Sequence, residues 1–122
     1  MEEHRQFPRI GVSLIVRFRI PHSHLNMSSR GEDISENGMR LAALQGLNPG
    51  MVLDLNFKLY GSIYELATKG EIIWQSARKH NYFPFLLGVR FIEIDPCDRN
   101  RIKNFITKIS HESKPLSISS TH

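Results

Sequence analysis

The sequence is poor in the features that mark secreted, membrane-spanning and metal-binding proteins. It has a single cysteine, Cys97, so no disulfide can form within the chain, and a reducing cytoplasm is the expected compartment. No apolar run approaches the roughly 20 residues that a membrane-spanning helix needs, and the polar N-terminus lacks the pattern of a secretory signal. The histidines show no metal-ligand spacing with Cys97 or with the acids. We therefore expect a cytoplasmic protein that binds no metal and does not insert into a membrane.

Catalytic signatures are also missing from the sequence. It contains no phosphate-binding loop of the GxxxxGK[ST] type, and no Ser-His-Asp or Cys-His arrangement with a supporting context. The acid Asp33 and the hydroxyl of Ser35 lack a partner base in the sequence. We therefore predict that the protein is not an enzyme and has no catalytic residue.

The length and charge of the chain are those of one small basic domain. Its 122 residues are 40% hydrophobic and 23% charged, which suffices for a single domain with its own core. The formal net charge of +4 at pH 7 favours an anionic partner such as a nucleotide, a nucleic acid or an anionic membrane surface. Residues 1–40 contain arginines but no lysine, and arginine offers a planar fork for bidentate contacts and a face for stacking.

Most of the chain shows the alternating pattern of half-buried β-strands. Apolar residues occupy every second position from Val12 to Ile20, and the same alternation recurs over residues 53–59 and 85–91. The segment 63–75 is also strand-like. There the alternation places Ile72 and Trp74 on one face, so Trp74 is predicted to lie in the core.

The C-terminal part of the chain changes from strand to helix. Asp95-Pro96 is typical of an N-cap followed by proline at the first helical position. The apolar residues that follow have the spacing of one helix face, and they are Ile102, Phe105, Ile106 and Ile109. Several strands and one amphipathic helix predict a small antiparallel β-barrel, with the helix closing one end or lying along the side.

Two short motifs stand out. Arg5 and Arg9 form an RxxxR immediately before the first predicted strand, and Asp33, Ser35 and Gly38 form a DxSxxG between later strands. Each motif alone is weak, because RxxxR arises by chance in an arginine-rich chain and DxSxxG also suits a capped polar turn. Their order, within a chain that ends in one helix, is the informative feature.

This combination resembles the PilZ domain family. The resemblance covers about residues 5–110 and keeps every named position of both motifs. It also includes the turn Asn48-Pro49-Gly50, the strand segment 70–74 and the late strand segment 88–91. The family implies a mainly β fold, a six-stranded antiparallel β-barrel with one C-terminal α-helix. We therefore expect a flexible ligand-binding arm over residues 1–10, the barrel and helix over residues 11–110, and a disordered tail over residues 111–122.

The resemblance also implies a ligand, because many PilZ domains bind the bacterial second messenger cyclic di-GMP through these two motifs. Guanine presents two acceptors that suit an arginine fork, and N–H donors on its Watson–Crick edge suit Asp33. Ser35 offers a hydroxyl to a phosphate or a base edge, and Gly38 lets the backbone pass close or takes a positive φ. The expected ligand-binding residues are Arg5, Arg9, Asp33, Ser35 and Gly38, with His4, Asn37, Arg40 and Arg90 as secondary candidates.

The sequence thus predicts a bacterial cyclic di-GMP receptor or adaptor. Ligand orders the N-terminal arm and changes a surface that contacts an unidentified downstream protein, and no cofactor is needed. Two alternatives stay open: a ligand-independent interaction module of the same fold, and a small basic barrel that binds nucleic acid. Nucleic acid is the less favoured partner, because the strands show no regular alternation of exposed aromatic and basic residues.

Overall fold

The computed structural model describes residues 8–23 and 25–119, with side chains up to residue 111. These residues form six strands and one helix in the order that the sequence predicts. The elements are β1 (Ile10–Arg19), β2 (Asn26–Ser35), β3 (Gly38–Ala43), β4 (Val52–Phe57), β5 (Leu66–Ala77), β6 (Phe85–Glu93) and α1 (Pro96–Ser119). No helix in the described part of the chain is both long and apolar enough to span a bilayer.

The six strands close into an antiparallel barrel with the strand order β1-β2-β3-β6-β5-β4. Four of the pairings join strands that follow each other in sequence, and the β3–β6 and β1–β4 pairings complete the ring. Closure gives each strand two hydrogen-bonded neighbours, which protects backbone groups that an open edge would expose. The predicted six-stranded barrel with a C-terminal helix is confirmed.

The barrel interior holds the apolar residues that the alternation predicts. In β1, Leu14, Val16 and Phe18 are buried while the intervening residues are exposed. The apolar face of α1 extends this core, since Ile102 is fully buried and the ring of Phe105 packs edge-on against Tyr60 with centroids 5.6 Å apart. Because Tyr60 belongs to the loop between β4 and β5, the helix packs at the barrel end where that loop lies.

The helix begins where the sequence predicts and continues further than expected. The Asp95 side chain accepts a hydrogen bond from the Cys97 N–H over 2.8 Å, and Pro96 is the first helical residue. The helix then runs through residues 111–119, for which a disordered tail was expected. Ile109 still packs against the core, and the helical backbone continues beyond it to Ser119.

Strand β5 contains an irregularity that reverses its faces. Ile72 pairs with Val89 and Trp74 pairs with Gly88, so β5 uses one more residue than β6 over this interval. The extra residue leaves Ile72 buried in the core but turns Trp74 outward, with 40% of its surface exposed. The prediction that Trp74 lies in the core is therefore wrong, because such a bulge interrupts the two-residue period on which it depends.

Candidate ligand-binding groove

An open groove crosses the outer surface of β2, β3, β6 and β5. Its volume of about 460 Å³ lies within the range of small-molecule sites. Of the residues that the structure describes, three arginines, one acid and one asparagine line the groove together with apolar residues and glycines. The lining residues are Arg9, Asp33, Asn37, Gly38, Met39, Arg40, Ile73, Trp74, Gly88, Val89 and Arg90.

The strand register explains why these residues meet. Two rows of paired residues run across the four strands, and each row has one central glycine. The first row is Asp33, Arg40, Gly88 and Trp74, and the second is Ser35, Gly38, Arg90 and Glu71. The two glycines lack side chains at the centre of the sheet, so the long side chains on either side of them become the walls of the groove.

Asp33 organises the first row. Its carboxylate accepts a hydrogen bond from Arg9 Nη1 over 2.8 Å, from Arg40 Nε over 2.5 Å and from the Arg40 backbone N–H over 3.1 Å. The Asp33 side chain is only 4% exposed. Burial of a charge is tolerated when it is paired and hydrogen-bonded, and here both carboxylate oxygens have partners. Asp33 therefore holds Arg9 and Arg40 at one side of the groove.

Arg90 forms part of the second row with a different acid. Its Nη2 lies 2.5 Å from Glu71 Oε1, and these two residues are direct cross-strand partners on β6 and β5. Unlike Asp33, this pair is open to solvent, with 54% of the Arg90 side chain and 32% of the Glu71 side chain exposed. Among the described residues, the groove is thus lined by three guanidinium groups, those of Arg9, Arg40 and Arg90.

Trp74 supplies an aromatic surface that the sequence prediction missed. A Cβ atom placed on Gly88 would overlap the indole of Trp74, so the ring lies directly over the glycine backbone. A glycine inside a strand often marks such a close approach. Gly88, within an otherwise regular alternation, is therefore the signal that could have identified an outward aromatic residue on the neighbouring strand.

The turn between β2 and β3 explains the rest of the DxSxxG motif. Ser35 is 2% exposed, and its hydroxyl accepts a hydrogen bond from the Asn37 N–H over 3.1 Å. The Asn37 carbonyl accepts one from the Phe91 N–H over 2.8 Å. A Cβ on Gly38 would overlap the Val89 carbonyl oxygen, so the absence of a side chain here lets the backbones of β3 and β6 approach closely. The motif thus places Asp33 and Gly38 in the groove, while Ser35 caps the turn.

The structure brings several of the predicted ligand-binding residues together. Arg9, Asp33 and Gly38 line the groove, as do the secondary candidates Asn37, Arg40 and Arg90. Arg5 and His4 lie outside the described residues.

A second acid-base cluster lies away from the groove. Arg78 donates two hydrogen bonds to the Glu32 carboxylate, over 2.9 and 2.6 Å, and Arg30 donates one over 3.4 Å. The hydrogen bonds from Arg78 lower the pKa of Glu32 below its ordinary value, and the charges of both arginines act in the same direction. Arg30 also lies over the ring of Phe83, 5.5 Å from its centroid, so its guanidinium group is held in this cluster and not in the groove.

Comparison with known proteins identifies the family. The model of the PilZ domain matches residues 3–108, and the chain therefore belongs to the PilZ domain family, as the resemblance predicted. A search of curated proteins by sequence finds no significant match.

Solved structures share the fold at low sequence identity. The inhibitor of motility MotI/DgrA of Bacillus subtilis superposes with a TM-score of 0.78 at 16% identity, over 91% of this chain and 53% of that chain. YcgR of Escherichia coli in complex with c-di-GMP gives a TM-score of 0.75 at 19% identity, over 97% of this chain and 51% of YcgR. The PilZ domain of YcgR with c-di-GMP gives 0.73 at 17% identity, over 94% of this chain and 98% of that domain. The chain thus spans about half the length of MotI and YcgR.

Proposed function

We propose that this PilZ domain is a receptor for cyclic di-GMP and binds the dinucleotide in the groove between Asp33 and Glu71. The observation that carries the proposal is the cluster of Arg9, Asp33 and Arg40, in which one buried carboxylate holds two guanidinium groups beside an exposed tryptophan. The family match and the solved complexes of YcgR with c-di-GMP support the same ligand.

The groove offers the contacts that a cyclic guanine dinucleotide needs. Arginine forks suit either the O6 and N7 acceptors of guanine or a phosphate. The exposed indole of Trp74 provides a stacking surface for a base, and the arginine planes can stack on a second base. Two phosphates and two guanines can therefore be bound by groups of this groove together with Arg5, whose role we propose from the motif.

The geometry changes the role expected of Asp33. Both of its oxygens are bonded to Arg9 and Arg40, so direct contact with guanine donors would require one of those bonds to break. We therefore propose that Asp33 acts mainly by positioning the two arginines. Ser35 acts in the same indirect way, by holding the turn that carries Asn37 and Gly38.

The signal would be transmitted through the N-terminal arm. Arg9 already lies on the barrel, held by Asp33 with 27% of its side chain exposed. We propose that the ligand recruits Arg5 to the same groove and so fixes the segment between the two arginines over the barrel surface. The resulting surface would bind a downstream protein in the bacterial cytoplasm, without catalysis.

Calorimetric titration of the full chain with cyclic di-GMP, cyclic di-AMP and GTP tests the function. We expect micromolar affinity for cyclic di-GMP and much weaker binding of the other two nucleotides. Arg9→Ala should remove most of the affinity, whereas Arg19→Ala should not, because Arg19 pairs with Asp54 outside the groove. A folded protein that ignores cyclic di-GMP well above micromolar concentration would overturn the proposal and leave the ligand-independent module or the nucleic-acid barrel.

A further inference from the structure

Two acids, Asp33 and Glu71, pair with the arginines of the groove, and their surroundings differ. Asp33 is buried and is bonded by two arginines and a backbone amide, so its removal from this network would leave a buried charge without partners. Among the described residues Glu71 pairs with Arg90, and both of these side chains are substantially exposed. Exposed pairs of this kind contribute little net free energy, because water competes for both charges. The pair of Glu71 and Arg90 is therefore the one that an incoming anion can separate at low cost.

We propose that Glu71 is an internal competitor for the phosphate of the ligand and sets the affinity of the groove through Arg90. In the free protein Arg90 is paired with Glu71, and on binding its guanidinium exchanges that carboxylate for a ligand phosphate. This inference rests on the proposed function. It gives a role to Glu71, a residue outside both sequence motifs that adjoins the groove only through its cross-strand partner.

The position of Arg90 makes the exchange feasible. Arg90 lies opposite Gly38 on β3 and opposite Glu71 on β5, so its neighbour towards β2 lacks a side chain and its neighbour on the other side is the acid. The guanidinium can therefore leave Glu71 towards the open side of the groove, where Arg40 and Trp74 stand in the adjacent row. A ligand that binds Arg90 in this way gains only the difference in free energy between the Arg90–phosphate pair and the Arg90–Glu71 pair.

Glu71→Gln tests this inference, because glutamine keeps the size of the side chain and removes its charge. We expect the dissociation constant for cyclic di-GMP, measured by calorimetry at low ionic strength, to fall about two- to fivefold. In an Arg90→Gln background the same substitution should change affinity by much less, because the competition acts through Arg90. Arg90→Gln alone should weaken binding only by a similar small factor.

The pair of Arg17 and Glu65 provides a matched control. It lies on β1 and the loop after β4, away from the groove, and its side chains are 59% and 35% exposed, close to the values for Arg90 and Glu71. Glu65→Gln removes the same charge and should leave affinity unchanged within error. Thermal unfolding of each variant checks that the fold is intact.

The remaining outcomes each overturn the inference. Unchanged or weaker binding by Glu71→Gln would show that the acid does not compete. A gain in affinity that persists in the Arg90→Gln background would show that Glu71 simply repels the ligand. Complete loss of binding in Arg90→Gln would show that Arg90 contributes far more affinity than the exchange of one ion pair for another allows. A failure of the unchanged protein to bind cyclic di-GMP would instead overturn the proposed function itself.

Discussion

Arg9 Nη1 donates a hydrogen bond to Asp33 Oδ1 over 2.8 Å, although Arg9 precedes β1 and Asp33 lies on β2. This bond connects the two sequence motifs in the free protein. Asp33 binds Arg40 through its other oxygen, so one buried carboxylate fixes two cations that would otherwise point into water. The groove is thereby largely formed before a ligand arrives, which lowers the ordering cost of binding.

Replacement of Asp33 by asparagine should therefore affect binding through the arginines. We expect Asp33→Asn to weaken cyclic di-GMP binding about tenfold or more, the size of the loss of one bidentate contact. The free energy of unfolding should fall by roughly 1–3 kcal/mol, as for other buried charged hydrogen bonds. Calorimetry and urea unfolding measure the two effects separately.

Asp54 offers the control for this substitution. It also pairs with two cations, Arg19 and Lys69, over 3.1 and 2.8 Å, but on the outer face of β1, β4 and β5. Asp54→Asn should leave the affinity for cyclic di-GMP within about twofold of that of the unchanged protein, because exposed ion pairs contribute little free energy. Equal losses in both variants would point to a general charge effect and contradict the positioning role of Asp33.

The barrel and most of its inward residues could be predicted from the sequence, because strands such as β1 and β4 alternate between inward and outward residues. Val16 and Phe18 show this, since both lie inside as the pattern requires. The start of α1 was equally predictable, because Asp95-Pro96 forms the N-cap that local chemistry favours.

The groove was less predictable, because it depends on register. The two motifs identify Arg9, Asp33 and Gly38, but the alternation of β5 predicts that Trp74 lies in the core. Its outward position depends on one extra residue in β5 relative to β6, which the two-residue alternation of β5 does not reveal. The role of Glu71 likewise appears only when its cross-strand partner is known.

Trp74 is the sole tryptophan of the chain, so its fluorescence reports on the groove alone. Stacking of guanine on the exposed indole should quench this emission in proportion to the occupied fraction. Trp74→Ala should weaken cyclic di-GMP binding about tenfold, consistent with roughly 1–3 kcal/mol for one stacked base, and Trp74→Phe should recover part of the loss. Saturation by calorimetry without any change in emission would remove Trp74 from the site.

Gly38 should tolerate no side chain. Its Cβ would overlap the Val89 carbonyl oxygen, which belongs to the backbone of β6 and cannot rotate away. We expect Gly38→Ala to lower the free energy of unfolding by about 1–3 kcal/mol, the usual cost of overpacking. Gly11→Ala is the matched control, because its nearest atom would be 4.0 Å away. Equal stability of the two variants in urea would contradict the close approach.

The cluster of Glu32 and Arg78 predicts a specific loss of stability in acid. Hydrogen bonds from Arg78 lower the pKa of Glu32 below its ordinary value of 4.5, so the folded state binds a proton there less readily than the unfolded state does. The stabilisation is therefore complete above the unfolded pKa and is lost as the pH falls through the lower, folded pKa. Glu32→Gln should reduce the free energy of unfolding at pH 7, and the difference from the unchanged protein should shrink below about pH 4.5, where the ordinary carboxyl begins to protonate. Urea unfolding of both proteins at pH 7, 4 and 3 measures this difference in the free energy of unfolding. A difference that stays constant across the three pH values would contradict the assignment of the stabilisation to the Glu32 charge.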